Sequence, residues 1–475
     1  MSLFPDKETD RKFGRMQWRM LFATMIGYTL FYFMRKNFSF AMPGLEQDCG
    51  ISKAMLGNFL FCGGMVYGLS KFINGIVGDR VNPRRMLCFG LFVCTLVNVL
   101  FGFAPAIASV LSGGGDPSIA ALSWTLGILL VANQFFQGTG FPPCAKLIAF
   151  WVPPKELATK MSVWNTSHSI GGGLVAKICG VIMGLGAIGA ANQGVGMWRW
   201  CFWAMAILGF LGLLLMLVWL PGTPKDEGLP DLPGTESVAS ANNALNGDDG
   251  HKAPDGLKAP NGINADGGPS VMRMVFANPV IWMLGFINFT INAVRALVAD
   301  WGPTMLQEAK GLTPSESGTV IMLFEFAGIA GMLFSGWATD RLFGGRAPRL
   351  CVFLMALTAG CLAAFWFLPS GGAGGIISSA ALCTAGFCLY GPQALTGVTA
   401  TNTSTKRFAG TSIGFISLFS YIGVSVAGKV CGNLAESSGG WHVPLMVMIA
   451  TAGAGALLFL CLWRTRANSY DVKIR

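Results

Sequence analysis

The stretch GYTLFYFMRKNFSFAMP, residues 27–43, carries Arg35 and Lys36 side by side in the middle of a long apolar run. An arginine near the middle of a membrane helix costs about 2.5–3.5 kcal/mol on insertion scales. Tyr28, Tyr32 and Arg35 are spaced i, i+4, i+7 and so share one helical face. This predicts a membrane helix with a polar stripe and a site-lining Arg35. The alternative is that both cations mark the helix end and extend to the headgroups, which suits Lys36 better.

The composition of the whole chain is that of a membrane protein. Of the 475 residues, 53% are hydrophobic and only 12% are charged, whereas a soluble domain has about 25% charged residues. The net charge of +10 does not indicate a nucleic-acid partner, because the basic residues occupy alternate loops without interleaved aromatic residues. The 13 cysteines form no CxxC pair and mostly lie in apolar runs, so we interpret them as small hydrophobic residues and expect neither metal nor cofactor.

Twelve apolar runs have about the length that a helix needs to cross a bilayer. They lie near 20–43, 55–78, 86–106, 121–146, 159–187, 200–220, 278–303, 315–338, 350–369, 376–400, 409–432 and 443–463. Residues 221–272 between them are rich in Pro, Gly, Asn, Asp and Ala and cannot bury a core. The sequence therefore predicts two six-helix halves, 1–220 and 273–475, joined by a disordered cytoplasmic linker.

The distribution of basic residues predicts the orientation. If both termini are cytoplasmic, 23 of the 33 Lys and Arg residues fall in cytoplasmic segments and 3 fall in outer loops. This bias follows the positive-inside rule. We therefore expect a multi-pass protein of the plasma membrane with both termini inside.

The two halves repeat each other. GIVGDRVNPRR (75–85) recurs as GWATDRLFGGR (336–346), and Arg35 and Arg295 are 260 residues apart. Each half therefore places one arginine at an equivalent depth in its first span. Parallel halves of this kind build the major facilitator fold, so an all-α membrane protein with 12 helices is predicted.

Arg295 heads a second polar stripe. Asn288, Asn292 and Arg295 again step i, i+4, i+7 along one helical face. Asp300 follows five residues on, and we expect it to serve as a counter-charge. The alternative is that Arg295 and Asp300 pair only with each other.

Further polar residues lie within the predicted spans. Lys71 is one turn from Tyr67, and it either lines a cavity or extends to the cytoplasmic rim. His168 shares a face with Trp164 and is either a helix–helix hydrogen bonder or a pH-sensitive group. Gln137 shares a face with Asn133 in the fourth span. The other candidates for lining a cavity, or for bonding between helices, are Tyr28, Tyr32, Tyr67, Tyr390, Tyr421, Asn165 and Glu325.

Two pseudo-symmetric arginines facing one cavity suit a dianion. The guanidinium fork matches phosphate oxygens and keeps its charge at all physiological pH values. Phosphate esters fit this arrangement, with tyrosine and amide groups left to bond hydroxyl groups. An enzyme is not expected, because the sequence shows no nucleophile–base pair and no metal-ligand cluster.

The sequence resembles the organophosphate:phosphate antiporters of the major facilitator superfamily, which include glycerol-3-phosphate and hexose-6-phosphate transporters. The resemblance covers essentially all spans but not the linker. The motifs that carry it are residues 27–43, YGLSKFINGIVGDRVNPR (67–84), QGTGFPPC (137–144), SVWNTSHSIGGG (162–173), the Arg295–Asp300–Trp301 segment and YGPQALTG (390–397).

The resemblance implies exchange of a sugar phosphate for inorganic phosphate, with hexose 6-phosphate favoured and glycerol 3-phosphate next. Some relatives are membrane receptors that sense the ester, which is the alternative function. A monomer in the bacterial inner membrane is expected. The resemblance implies phosphate binding by Arg35 and Arg295 with support from Lys71 and His168, and cavity roles for Tyr28, Tyr32, Tyr67, Gln137, Trp164, Asn165, Glu325, Tyr390 and Tyr421. Asn292 is added from its polar stripe.

Overall fold

The computed structural model describes residues 6–188, 196–230, 232, 275–403 and 409–464. The regular elements within these ranges are helices, and the ranges contain no strand. In the N-terminal half the helices are α1 (Lys7–Cys49), α2 (Lys53–Arg80), α3 (Pro83–Gly102), α4 (Ala104–Leu111), α5 (Ile119–Gln137), α6 (Phe141–Trp151), α7 (Pro154–Ile188) and α8 (Trp198–Trp219). In the C-terminal half they are α9 (Pro279–Asp300), α10 (Gly302–Lys310), α11 (Pro314–Arg341), α12 (Ala347–Phe367), α13 (Gly372–Thr403), α14 (Ala409–Ser437) and α15 (His442–Cys461).

Local signals set several helix ends. The Asp6 carboxylate accepts hydrogen bonds from the backbone N–H groups of Glu8 and Thr9 and so caps α1. Gly50, at φ 65°, ends the same helix in the left-handed conformation. Thr313 and Glu316 form a capping box at the start of α11. These are the contacts that satisfy backbone groups left free at helix ends.

Among the helices that the structure describes, eleven are long and apolar enough to cross a membrane. They coincide with the second to twelfth predicted spans, and α5 together with α6 forms one of them. The predicted first span lies in α1, which starts at Lys7 with a polar, basic segment and is not among the eleven. The all-helical fold is therefore confirmed, and the count of twelve spans stays a prediction.

The two halves meet through symmetric helix pairs. The second span of each half packs against the fifth span of the other, so α2 contacts α14 and α11 contacts α7. Within the halves, α1 packs on α7 and α8, and α9 packs on α14 and α15. This arrangement brings the polar stripes of α1 and α9 toward the middle of the molecule.

The halves approach most closely near the turn between α1 and α2, which we call the α1–α2 end. A Cβ atom added to Gly318 would lie 2.4 Å from the carbonyl oxygen of Ala176. One added to Gly432 would lie 2.5 Å from the carbonyl oxygen of Lys53. Both contacts join opposite halves, so glycine is required for closure here.

Polar contacts reinforce the same closure. Lys53 pairs with Glu46 of its own half and lies 3.1 Å from a carboxylate oxygen of Glu308 in the other half. The N–H of Ala54 donates to Glu436 at 2.6 Å. The sequence places Lys53 in an outer loop, and the structure adds that it links the halves.

The start of the predicted linker packs against the N-terminal half. The indole N–H of Trp151 donates to the carbonyl oxygen of Gly222 at 2.8 Å, and Asn82 donates to Asp226 at 3.2 Å. Leu229 and Leu232 are buried. The rest of the linker, residue 231 and residues 233–272, lies outside the described residues. The prediction that this part is disordered therefore stays a prediction.

Candidate substrate-binding cavity

A cavity of about 370 Å³ lies between the halves, where the stripes of α1 and α9 face each other. Ten of the fourteen predicted site residues line it, and these are Tyr28, Tyr32, Arg35, Tyr67, Lys71, Asn165, His168, Asn292, Arg295 and Tyr421. The other four are not among the lining residues but are buried, and these are Gln137, Trp164, Glu325 and Tyr390.

Arg35 lies against aromatic rings of the N-terminal half. Its guanidinium carbon is 3.9 Å from the Tyr32 ring centroid and 4.7 Å from that of Tyr67, which is cation–π geometry. Its Nε is buried and has no hydrogen-bond partner. Within the described ranges, no carboxylate lies at ion-pair distance from Arg35. Arg35 therefore keeps donor capacity for an anion.

Arg295 is differently partnered. Its Nε donates to the Tyr390 hydroxyl at 2.8 Å, and its Nη2 lies 3.3 Å from a Glu325 carboxylate oxygen. The Tyr390 hydroxyl donates to the same carboxylate. Glu325 and Tyr390 thus orient Arg295 from behind the cavity wall. The expectation that Asp300 is the counter-charge of Arg295 was wrong, because Glu325 takes that role.

Asp300 instead pairs with Lys36 across the two halves. Both residues line the cavity. The alternative in which Lys36 extends to the headgroups is wrong. Helix α1 continues past Lys36 to Cys49, about 20 Å further along the axis. The pair places one compensated ion pair in the cavity and links α1 to α9.

Lys71 forms a second link between the halves. Its Nζ donates to the Tyr421 hydroxyl on α14 at 2.7 Å and lies 4.4 Å from the Phe141 ring centroid. Tyr67 packs edge-on against Tyr421, with ring centroids 5.3 Å apart. Lys71 therefore lines the cavity and does not extend to the cytoplasmic rim.

His168 lies between aromatic rings of both halves. Its ring centroid is 5.9 Å from that of Tyr32 and 6.3 Å from that of Tyr390, on which it stacks. Its Nδ1 contacts the carbonyl oxygen of Asn165, which places Nε2 on the opposite side of the ring. One turn away, Trp164 packs on Tyr28 with centroids 4.8 Å apart, and its indole N–H has no partner.

Several lining residues were not chosen from the sequence as site residues. They are Lys36, Asp300, Asn288, Gln134, Gln393, Ser417 and Ser420. Gln134 is next to Asn133, which the sequence places on the Gln137 face and which donates to the backbone oxygen of Met34 at 2.8 Å within its own half. Two sequence signals were available for Gln393, which lies in the YGPQALTG motif and follows Tyr390 by three residues on the same helical face.

The charges around the cavity do not cancel. Among the described residues, four cations, Arg35, Lys36, Lys71 and Arg295, face two carboxylates, Asp300 and Glu325, which leaves a net charge of +2. A dianion would balance this charge, and two guanidinium forks would bind its oxygens. Within the described residues, no group of three or more His, Cys, Asp or Glu side chains could hold a metal ion.

Comparison with known proteins identifies the family of the chain. The model of the Major Facilitator Superfamily matches residues 24–428. The chain is 32% identical to the glycerol-3-phosphate transporter of Bacillus subtilis, covering 98% of this chain and 97% of that protein. It is 33% identical to the probable hexose phosphate transport protein of Chlamydia pneumoniae, covering 95% and 92%. It is 31% identical to the membrane sensor protein UhpC of Escherichia coli, covering 96% and 95%.

Solved structures show the same fold. A bacterial homolog of the human lysosomal transporter Spinster, inward-facing and occupied, superposes with a TM-score of 0.70 at 15% identity, covering 94% of this chain and 96% of that one. A D-xylose–proton symporter superposes with a TM-score of 0.67 at 14% identity, covering 96% and 99%. The chain is a multi-pass membrane protein of the Major Facilitator Superfamily, and it belongs there with the group of glycerol-phosphate and hexose-phosphate transporters and sensors.

Proposed function

We propose that the protein is a secondary active transporter that exchanges a sugar phosphate for inorganic phosphate by alternating access. Hexose 6-phosphate is the favoured ester and glycerol 3-phosphate is next. The observation that carries the proposal is the net charge of +2 in a cavity that takes one arginine from each half. The named activities of the relatives, glycerol-3-phosphate and hexose phosphate transport, support it.

The phosphate binds between Arg35 and Arg295. Arg35 offers a buried Nε that has no hydrogen-bond partner among the described residues. Arg295 is held by Glu325 at 3.3 Å, so the incoming dianion shares or displaces that carboxylate. The difference makes Arg35 the first contact and Arg295 the group that responds to binding. His168 supplies a further donor beside both arginines.

Binding is coupled to movement through links that cross the cavity. Lys36 pairs with Asp300, and Lys71 donates to Tyr421, each across the halves. A dianion attracts both lysines and weakens these links, while it draws the two arginines together. The halves then rock, closing the cavity on one side and separating the α1–α2 end. If the termini are cytoplasmic, the present arrangement is closed toward the outside.

The same charges explain why the proposed transport is an exchange. An empty cavity that closes must bury two uncompensated positive charges away from water, and this costs several kcal/mol. A bound phosphate or phosphate ester neutralises them. The loaded protein therefore moves between its two states easily, and the empty protein does not. This predicts obligatory antiport and needs neither a metal nor a cofactor.

The proposal includes the cellular setting. The protein resides in the bacterial inner membrane as a monomer, with both termini cytoplasmic and the six-helix halves 1–220 and 273–475 on either side of the linker. Its partners are the sugar phosphate, inorganic phosphate and lipid, and it is not an enzyme.

Uptake into phosphate-loaded liposomes tests this function. Purified protein should accumulate labelled glucose 6-phosphate, and glycerol 3-phosphate less efficiently, only when phosphate is present inside. A preference for glycerol 3-phosphate would correct the substrate and keep the exchange. Uptake of neither ester by folded protein would reject the transport proposal.

A second candidate function is a receptor that binds a sugar phosphate and signals through a partner. The 31% identity to the membrane sensor protein UhpC over 96% of this chain supports this second function. The same liposomes separate the two functions, because a pure receptor would bind the ester without accumulating it.

A further inference from the structure

Two glutamine side chains in the cavity are incompletely bonded. Gln134 of α5 and Gln393 of α13 both line the cavity, and the Oε1 atom of each is buried without a hydrogen-bond partner. Buried amide oxygens are almost always bonded, and an unbonded one is unfavourable unless a ligand or water fills the place. One of these amides belongs to each half.

The neighbouring amides of the cavity are already used. The Nδ2 of Asn288 donates to the carbonyl oxygen of Ile416 at 3.0 Å. The Nδ2 of Asn292 donates to the carbonyl oxygen of Asn288 at 2.8 Å. These bonds hold α9 to α14 and fix the asparagine orientations. Gln134 and Gln393 differ from these two asparagines, because the amide oxygen of each glutamine is buried without a partner among the described residues.

The two glutamines lie on different helices of the cavity wall. Gln393 follows Tyr390 by one helical turn, and the Tyr390 hydroxyl is bonded to Arg295. Gln134 packs beside Gly63 of α2, where a Cβ atom added to the glycine would lie 3.3 Å from Gln134 Cγ. Both glutamines line the same cavity as Arg35 and Arg295, so an ester whose phosphate is held by the arginines shares that cavity with these amides.

We propose that Gln134 and Gln393 form a subsite for hydroxyl groups and select a monophosphate ester whose remaining part carries several hydroxyl groups and no charge. This rests on the proposed function. A hydroxyl both donates and accepts, so it satisfies a carboxamide in either orientation. A carboxylate only accepts, so it could bond to the amide N–H groups but would leave both amide oxygens without a donor. A second anionic group would also exceed the net charge of +2 that one phosphate balances. An alkyl chain would leave both oxygens unbonded.

A panel of inhibitors of labelled phosphate exchange by wild-type protein in liposomes tests the selection. Glucose 6-phosphate and glycerol 3-phosphate should inhibit at concentrations at least tenfold lower than propyl phosphate, a loss expected for unmade hydrogen bonds. 3-Phosphoglycerate should also be weaker than both. Equal inhibition by propyl phosphate, or stronger inhibition by 3-phosphoglycerate, would overturn the subsite.

Substitutions then assign it to the two residues. In Gln134→Met and Gln393→Met, the inhibition constant of a polyol phosphate, divided by that of inorganic phosphate, should rise about tenfold, while the same ratio for propyl phosphate stays constant. Gln307→Met is the matched control, because that amide bonds to Pro303 within α10, outside the cavity. Equal changes in the inhibition constants of the polyol phosphate, propyl phosphate and inorganic phosphate would overturn the assignment.

The outcome is separable from failure of the proposed function. If the wild type exchanges no phosphate, the transport proposal fails, and the same compounds are compared by equilibrium binding to detergent-purified protein. The hydroxyl preference must then appear as tighter binding of the polyol phosphates, and its absence rejects the subsite. If a methionine variant does not fold, the wild-type panel decides.

Discussion

Arg35 and Arg295 hold equivalent positions in the first helix of each half, but only Arg295 is paired with a carboxylate, at 3.3 Å from Glu325. Arg35 lies over the rings of Tyr32 and Tyr67, with a buried Nε that has no partner. The asymmetry gives the two arginines different parts in one binding event. Arg35 can bind phosphate directly, whereas Arg295 must exchange the Glu325 carboxylate for phosphate.

Arg35→Lys and Arg295→Lys should each lower phosphate exchange at least a hundredfold while expression stays normal. Lysine keeps the positive charge but loses the two-pronged contact with phosphate oxygens. The measurement is exchange rate and phosphate affinity in liposomes. Near-normal affinity in either variant would show that its arginine is not a phosphate ligand.

Glu325→Gln should bind phosphate more tightly, by up to about tenfold, and exchange it more slowly. The amide no longer competes for Arg295, and it no longer helps to release the phosphate. Isotherms and turnover rates on the same preparation check this. Glu316→Gln is the control, since Glu316 acts in the capping box at the start of α11. Weaker binding in Glu325→Gln would instead mean that Glu325 mainly positions Arg295.

Lys36→Met and Asp300→Asn should each reduce exchange more than tenfold, because each leaves one buried charge without its partner. Combining both changes should recover part of the activity. Exchange rates of the three variants form a double-mutant cycle. Strictly additive losses would show that the pair is not a functional link between the halves.

Gly318→Leu should prevent closure at the α1–α2 end. A Cβ atom there meets the carbonyl oxygen of Ala176 at 2.4 Å, and a larger side chain cannot be accommodated without separating the halves. Labelling of cysteines introduced near this end should increase, and exchange should fall. The same change at Gly336, where a Cβ atom meets nothing within 4 Å, is the control. Unchanged labelling in Gly318→Leu would count against the proposed closure.

Deletion of residues 235–265 should leave exchange within about twofold of wild type. The halves contact each other through the pairs α2–α14 and α7–α11, and residues 221–230 remain to pack on the N-terminal half. Liposome exchange by the deletion variant is the test. A well-expressed deletion that has lost exchange would give the linker a role beyond connection.

The sequence predicted the fold and the arginines because both depend on local patterns. Apolar run lengths predict spans, and the i, i+4, i+7 spacing around Arg35 predicts which side chains share a face. The repeat between the two halves indicated that Arg295 is the equivalent of Arg35. None of these inferences required knowledge of how the halves dock.

The partners across the cavity could not be predicted in this way. Lys36 pairs with Asp300, and Lys71 with Tyr421, through contacts between residues more than 260 positions apart. Such pairs depend on the rotation of one half against the other. Gln134 was missed for a related reason, since spacing along a helix does not show which of its polar side chains face the other half.

Without a bound anion, the protein should not switch between its outward-open and inward-open states, because the two positive charges of the cavity must be balanced. The most direct measurement is the release of labelled phosphate from liposomes that contain the wild-type protein. We expect labelled phosphate to be released slowly into plain buffer. Its release should be at least tenfold faster when glucose 6-phosphate or phosphate is added outside. Release at one rate with and without external substrate would contradict obligatory exchange and the charge argument on which it rests.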